Sequence, residues 1–315
     1  MTLPDVVSQI AQVLAVLLLS PLLQGFIHRG EERVQRATGP SLIQPYRDLW
    51  KLFHKELVVP DSASFLFLAA PPLAFAAMCI VPMLIPVLTD FPLPQSNMGD
   101  ILGGGMILSI GSFFVLLAGL DSGSAYGGIG SSRSVMLGIL SEPTLILVLV
   151  GIALLAHTML PFPVNHLLAG NWAVFWSPAH IFIVCAFFIL LLVETDRLPI
   201  HSSTQIEIYM IEEARILEYS GPLLAVLRWA SMMKQFILYT IFCNVLTLPW
   251  GLAHRGTLPG ELGSLLSIGV KFGAVAAVVI LVETAQSRLR FFRYQEPLAA
   301  SFLLALLGIL AQQFG

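Results

Sequence analysis

The stretch ETDRLPIHSSTQIEIYMIEEARILEYSG, residues 194–221, lies between two long apolar segments and concentrates the charge of the chain. It holds six carboxylates and two cations, although 57% of the residues in the chain are hydrophobic and only 11% are charged. The six acids are Glu194, Asp196, Glu207, Glu212, Glu213 and Glu218. Because charge is so scarce elsewhere, the sequence predicts that this stretch is the functional centre.

The composition predicts an all-α, polytopic membrane protein. A soluble domain is about half apolar and about a quarter charged, whereas this chain of 315 residues has a mean hydropathy of +0.84. Apolar runs of about 20 residues recur along it, which is the length that a membrane-spanning helix needs. Strands of a membrane barrel would instead alternate over about ten residues. We expect one integral membrane domain over residues 1–315.

Eight apolar segments are predicted to span the membrane. They are residues 6–27, 65–89, 101–120, 135–157, 179–193, 223–248, 265–282 and 298–310. The second contains Pro71, Pro72, Pro82 and Pro86, which predict a kinked or broken helix. The first lacks a basic start and a small-residue cleavage site, so we expect it to remain as a span.

The connections between these spans differ in character. We expect a surface helix near residues 45–58, a tight Gly/Ser-rich loop over residues 120–134 and plain outer connections at residues 90–100 and 161–178. An amphipathic cytoplasmic helix is predicted over residues 204–218, with Glu213 inside its apolar stripe.

The distribution of lysine and arginine predicts the orientation. The odd-numbered loops hold twelve of these residues, and the even-numbered loops hold only Arg255. Positive charge favours the cytoplasmic side. We therefore expect the odd loops in the cytoplasm and both termini on the outer side of the cell (inner) membrane.

Ionisable residues within or at the ends of spans are costly in lipid and mark ion paths. They are Asp121, Glu142, Glu194, Glu283, Arg228, Lys234 and Lys271. As a set they favour a functional polar path. The alternative, that pairs such as Glu142 and Arg228 simply pin helices together, stays open for any single residue. His157 and His180 are expected at the membrane interface.

No redox centre, catalytic residue or metal site of its own is predicted for this chain. Cys79, Cys185 and Cys243 each stand alone in an apolar run, so they cannot form a CxxC site. The Gly/Ser-rich loop lacks the GK[ST] ending of a phosphate-binding loop. Nothing in the sequence indicates a nucleic-acid partner.

Three motifs together resemble one family of membrane proteins. They are ERVQRATGP at residues 32–40, ETDRLP at 194–199 and LEYSG at 217–221. They are similar to signatures of the H-type membrane subunits of respiratory complex I, a family that also includes membrane components of nickel–iron hydrogenases. The resemblance covers nearly the whole chain, in matching order.

Longer motifs resemble the hydrogenase branch, of the formate hydrogenlyase and hydrogenase-4 type. They are YRDLWKLFHKE at residues 46–56, GLDSGSAYGGIGSSR at 119–133, LGILSEP at 137–143 and IEIYMIEEARILEYSG at 206–221. The chain departs from both branches at PIHSST, where His201 replaces a usual aspartate. The complex I branch has a more acidic segment here.

The resemblance implies a subunit that anchors an electron-transferring peripheral arm to the membrane arm and links electron transfer to the movement of protons or Na⁺. The implied partners are a hydrogenase-like small subunit with an iron–sulfur cluster, a large subunit with a nickel–iron centre and antiporter-like membrane subunits in the lipid bilayer. No cofactor is implied for this chain itself.

The motifs and the charges within spans define two sets of candidate site residues. The proton path and coupling set is Asp121, Glu142, Glu194, Asp196, Arg197, Glu207, Glu213, Glu218, Arg228 and Lys234. The set for docking the peripheral arm is Glu32, Arg33, Arg36, Arg47, Asp48, Arg133, His201 and Arg215.

Two alternatives remain open. The first is a quinone-site subunit of an NADH:quinone oxidoreductase, the case in which a quinone would bind; the departure at His201 argues against it. The second is a stand-alone secondary transporter, which predicts an inverted repeat and broken helices at mid-membrane. No convincing repeat is present.

Overall fold

The computed structural model describes residues 3–34, 39–96, 99–195, 197, 212–254, 258–285 and 295–314. In this part of the chain the regular structure is helical, with one isolated bridge between Thr89 and Ala253. The helices are α1 (Leu3–Val34), α2 (Gln44–Phe53), α3 (Phe65–Leu84), α4 (Ile101–Asp121), α5 (Ala125–Ala156), α6 (Pro161–Gly170), α7 (Trp172–Phe175), α8 (Pro178–Glu194), α9 (Glu212–Ile216), α10 (Gly221–Thr240), α11 (Leu258–Ala285) and α12 (Gln295–Phe314). A π-helical segment, Ile241–Thr247, continues α10.

The predicted all-α polytopic membrane fold is confirmed. All eight predicted spans are helical: α1, α3, α4, α5, α8, α10 with its π-helical segment, α11 and α12. Six of these helices are individually long and apolar enough to cross a membrane, namely α1, α3, α4, α5, α11 and α12. Helix α8 is apolar but shorter, at 17 residues.

The helix of the second span ends between two of its prolines, Pro82 and Pro86. Pro71, Pro72 and Pro82 lie inside α3, which stops at Leu84. The carbonyl groups exposed at this end are bonded by Gln12 of α1, whose Nε2 donates to the oxygens of Pro82 and Ile85. Helix termini need such partners because their last carbonyls have none within the helix.

The prediction of a loop over residues 120–134 is wrong, because α5 already begins at Ala125. The Ser124 hydroxyl caps this helix by accepting a hydrogen bond from the Gly127 amide at 2.9 Å. The glycines serve close packing: a Cβ at Gly130 would lie 3.0 Å from the Arg215 nitrogen on α9. The glycines predicted for a tight loop thus lie in a helix that packs closely on α9.

The prediction of a plain connection at residues 161–178 is also wrong, since it forms α6 and α7. Asn165 of α6 is buried, and its amide donates to the carbonyls of Asn244 and Pro249 at 2.5 and 3.1 Å. In a π-helix the backbone hydrogen bonds join residues i and i+5 instead of i and i+4. This change leaves carbonyl groups free to accept such bonds. A polar residue in the connection thus ties it to the spans.

The helices share one end that carries most of the charge, which we call the charged end. Here α1, α4, α8 and α11 finish, and α3, α5, α10 and α12 begin. Helix α8 packs against α5 and α12 in the centre of the bundle, and Ile183, Phe187 and Leu190 on it are fully buried. This rigid centre holds Glu194, the last residue of α8, at the charged end.

Candidate functional site at the charged end

A cavity of about 720 Å³ lies at the charged end, and we call it the chamber. Its walls come from α1, α2, α3, α4, α5, α8, α9 and α10. The predicted site residues that line it are Asp48, Glu142, Glu194, Glu213, Arg215, Arg228 and Lys234. Residues from both candidate sets, scattered over the sequence from 48 to 234, are therefore brought to one cavity.

The closest charge pair of the chamber joins α8 to α10. Lys234 Nζ lies 2.7 Å from Glu194 Oε2 and 3.2 Å from the Ser112 hydroxyl of α4. The two side chains are only 21% and 17% exposed. A charge-assisted hydrogen bond of this length is stronger than a neutral one, and little surrounding water weakens it. The pair therefore places one acid and one base, both ionisable, in the chamber wall.

A second pair in the chamber is weaker. Arg228 Nη2 lies 3.4 Å from Glu213 Oε2, and both side chains are more than 40% exposed. Ion pairs this open to solvent contribute about 0–1 kcal/mol. The example considered from the sequence, Glu142 with Arg228, is not the pair that forms. Glu142 lines the chamber and makes no ion pair within the described part of the chain.

Arg215 anchors α9 beside the chamber. Its Nη1 donates to the Ser134 hydroxyl of α5 at 3.0 Å, and Ala214 next to it is buried. The predicted amphipathic helix over residues 204–218 falls mostly outside the described residues, and α9 is its described end. Glu218 lies beyond α9, half-buried, and does not line the chamber.

Arg197 lies outside the chamber and joins three elements. Its guanidinium pairs with Glu31 of α1, donates to the Gln24 amide oxygen at 3.0 Å and lies 3.8 Å from Glu283 of α11. The arginine is almost fully buried. This cluster connects the residues that follow α8 to the ends of α1 and α11.

Asp121 caps a helix. Its Oδ2 accepts hydrogen bonds from the Ser64 amide at 2.8 Å, the Ser64 hydroxyl at 2.9 Å and the Phe67 amide at 3.2 Å. These groups lie at the start of α3, where amides lack partners within the helix. Beside it, Tyr219 stacks on Phe67 with ring centroids 3.9 Å apart. Burial, and then the charge of Asp121, raise the pKa of the Tyr219 hydroxyl, which therefore stays protonated and donates to the Phe67 carbonyl.

We expect Asp121→Ala to lower the free energy of unfolding by about 1–2 kcal/mol, as for other lost helix caps. Asp121→Asn, which keeps a carbonyl acceptor, should retain most of that stability. Thermal unfolding in detergent measures both. If Asp121 also carries protons, Asp121→Asn should preserve stability and still lower the coupled activity of the assembled complex. Unchanged activity in this variant would mean that Asp121 acts as a helix cap and not as a proton carrier.

The other docking candidates are distributed over α1, α2 and α5. Asp48 accepts from Gln44 at 2.9 Å on α2, where Arg47 is exposed. Glu32 and Arg33 lie in the last turn of α1, and Arg133 lies half-buried on α5. The candidates Arg36, Asp196, His201 and Glu207 lie outside the described residues.

Several polar partners were missed by the sequence reasoning. Ser112 and Ser134 bond Lys234 and Arg215, Gln24 bonds Arg197, and Glu31 pairs with it. Within the spans the sequence pattern singles out charged side chains, and Glu31 lies one residue before the motif that begins at Glu32. Serine and glutamine in an apolar run are a weaker signal, but in lipid such groups also need partners.

A family model described as NADH dehydrogenase matches residues 8–312. Hydrogenase-4 component C of Escherichia coli is 30% identical over 303 residues, covering 96% of this chain and 94% of that protein. Formate hydrogenlyase subunit 4 of the same organism is 30% identical over 289 residues, covering 91% and 92%.

More distant similarities extend over the same length. The H subunit of the NADH-quinone oxidoreductase of Helicobacter hepaticus is 28% identical over 301 residues, covering 84% of each chain. A chain in the structure of the membrane-bound sulfane sulfur reductase, an archaeal respiratory membrane complex, matches with a TM-score of 0.81. That match has 19% identity and covers 98% of this chain and 99% of the other, so it concerns the fold alone.

Proposed function

The chain belongs to the NADH dehydrogenase family, and from that premise we propose that it is the membrane-anchoring, ion-coupling subunit of a hydrogenase- or formate hydrogenlyase-like complex. The family resemblance predicted from the motifs is confirmed. Two relatives at 30% identity are named as components of such complexes, which supports the hydrogenase branch over the complex I branch.

The chamber is the observation that carries the proposal. The acidic and basic candidate residues of five helices line one cavity at the charged end, and one of these helices, α2, carries the exposed Arg47. A peripheral arm docked on this end would cover the cavity. Changes of charge in the arm would then act on Glu142 and on the Glu194–Lys234 pair, whose side chains are largely buried, so that electrostatic effects on this pair are stronger than in bulk water.

The proposal assigns the redox cofactors to partner subunits. An iron–sulfur cluster belongs to the small subunit of the arm and a nickel–iron centre to the large subunit, while antiporter-like subunits continue the membrane arm. This chain is a single integral domain in the cell inner membrane, with the charged end in the cytoplasm. The role of this chain is to anchor the peripheral arm and to couple charge changes in that arm to the ionisable residues of the chamber.

The quinone-site alternative keeps one supporting observation. The chamber volume of about 720 Å³ falls within the range of about 300–1,000 Å³ that is usual for small-molecule sites. If this alternative is correct, the intact complex should reduce an added short-chain ubiquinone analogue. Turnover with a viologen dye that is independent of that quinone would favour the hydrogenase-like function.

Co-purification tests the proposal. A tagged chain extracted in a mild detergent should bring with it an iron–sulfur protein and a large hydrogenase-like subunit, identified by mass spectrometry. Arg47→Glu reverses an exposed charge on α2 and should weaken this recovery several-fold, whereas Arg47→Lys, which keeps the charge, should not. A chain that purifies alone and transports ions in liposomes without partners would contradict the proposal.

A further inference from the structure

A second set of buried polar side chains lies away from the chamber, between α1, α10 with its π-helical segment, and α11. At mid-bundle, Lys271 of α11 is only 7% exposed, and its Nζ donates to Asn244 Oδ1 at 2.9 Å. Among the described residues, no carboxylate forms an ion pair with this ammonium. A buried ammonium in a membrane span is costly, and such residues mark ion or proton paths.

Asn244 holds this lysine at a break in regular structure. It belongs to the π-helical segment, and its amide donates to the carbonyls of Pro86 and Val87 at 3.0 Å each. Its single side-chain oxygen is left to accept from Lys271. π-Helical segments are frequent at functional sites because they displace side chains from the regular α-helical positions. The titratable neighbour of Lys271 here is the Cys243 thiol.

Three further buried polar atoms lie on α10 and α11, and none makes a hydrogen bond within 3.5 Å to the described part of the chain. They are Tyr239 Oη and Gln235 Nε2, one turn apart on α10, and Glu283 Oε2 on α11. Tyr239 packs on Phe272, the residue after Lys271, with ring centroids 5.8 Å apart. A buried polar group left without a partner costs about 1–3 kcal/mol, so such groups normally bond water.

The far end of this row is the Arg197 cluster. Glu283 lies 3.8 Å from Arg197, which also pairs with Glu31, so these are the charged groups that face Glu283. Along α11, Lys271 and Glu283 are ~18 Å apart at about 1.5 Å per residue. The row therefore covers more than half of a hydrocarbon core of about 30 Å. None of Gln235, Tyr239, Lys271 and Glu283 lines the chamber.

We propose that Glu283, Gln235, Tyr239 and Lys271 form a hydrated proton-transfer path inside this subunit, separate from the chamber, with Lys271 as the proton carrier at its inner end. The proton enters from the charged end through Glu283, passes along water bonded to Gln235 and Tyr239, and is taken up and released by the Lys271 amine. The inference rests on the proposed coupling function and assigns the residues of one route.

The test uses the purified complex reconstituted in liposomes, with a viologen dye as electron donor or acceptor and an internal pH-sensitive dye. Lys271→Arg keeps the positive charge and the donor to Asn244 but cannot deprotonate. We expect its proton movement to fall at least tenfold while the complex still assembles. Lys55→Arg, an exposed lysine in the first loop, is the matched control and should leave proton movement unchanged.

Tyr239→Phe is the second variant, because it keeps the ring and removes only the hydroxyl. A structural role predicts little loss, since this hydroxyl makes no hydrogen bond within 3.5 Å to the described residues and its polar neighbour Gln235 is itself a member of the proposed path. The proposed path predicts a several-fold fall in proton movement. If the complex with Lys271→Arg does not assemble, proton movement in Tyr239→Phe tests the path on its own.

The outcomes separate the two proposals. Wild-type proton movement in Lys271→Arg, or in Tyr239→Phe when the arginine variant fails to assemble, overturns the path and leaves the proposed function intact. A wild-type complex that assembles but moves only Na⁺ also overturns the path and leaves the coupling function intact, whereas one that moves no ion overturns the coupling function together with the path. Failure of the chain to co-purify with any redox subunit overturns the proposed function itself.

Discussion

Arg197→Met should lower the free energy of unfolding by about 3–5 kcal/mol, because it removes the cation from a buried cluster and leaves two carboxylates behind. Glu31 and Glu283 are only 15% and 25% exposed, and both face the arginine. Methionine fills a similar volume but neutralises neither acid. In a detergent-solubilised chain we expect the unfolding midpoint to fall by roughly 6 to 20 °C, at about 2–4 °C per kcal/mol.

The control for this prediction removes one of the two stranded charges as well. Arg197→Met combined with Glu31→Gln should recover part of the lost stability, since Glu283 is then the one carboxylate of the cluster left without the arginine. Arg197→Lys should remain impaired, because a lysine cannot reach Glu31 and Gln24 together with a planar fork. A single methionine variant as stable as the wild type would show that the cluster does not stabilise the fold.

The spans could be predicted from the sequence because their signal is local. Apolar length alone determines whether a helix can cross the membrane, and all eight predicted segments proved helical. The C-terminal end of α3 shows what apolar length cannot predict. A hydropathy plot extends the span to residue 89, whereas α3 ends at Leu84, where Gln12 from α1 bonds its last free carbonyls.

The partners within the candidate site could not be predicted, because they depend on which helices pack together. Arg228 was considered with Glu142 but meets Glu213, 15 residues before it in sequence. Arg197 pairs with Glu31, 166 residues away. The motifs and the spans selected residues that do converge on the chamber, yet they contained no information on these pairings. The start of α5 at Ala125 could not be predicted for the same reason. Gly130 allows α5 to pack closely against α9, and the sequence does not show that these two helices meet.

The Glu194–Lys234 pair offers the most direct test of the chamber. Glu194→Gln keeps the size of the side chain but removes its charge, so the 2.7 Å bond to Lys234 loses its ionic part. Hydrogen bonds to charged groups contribute about 1.5–3 kcal/mol. If the pair must change its charge during coupling, this corresponds to a fall in coupled turnover of about tenfold to a hundredfold. We expect that fall in the reconstituted complex, with assembly preserved.

The double variant Glu194→Gln/Lys234→Met separates coupling from stability. Removing both charges relieves the cost of a lone buried ammonium, so thermal stability and recovery of the complex should return to near the wild-type values. Coupled turnover should stay low, because neither residue can then exchange a proton or respond to charge in the arm. Lys234→Arg keeps the charge opposite Glu194 and should be the mildest change. Full coupled turnover in the double variant would mean that this pair only joins α8 to α10, and that the chamber works through Glu142 and Glu213 alone.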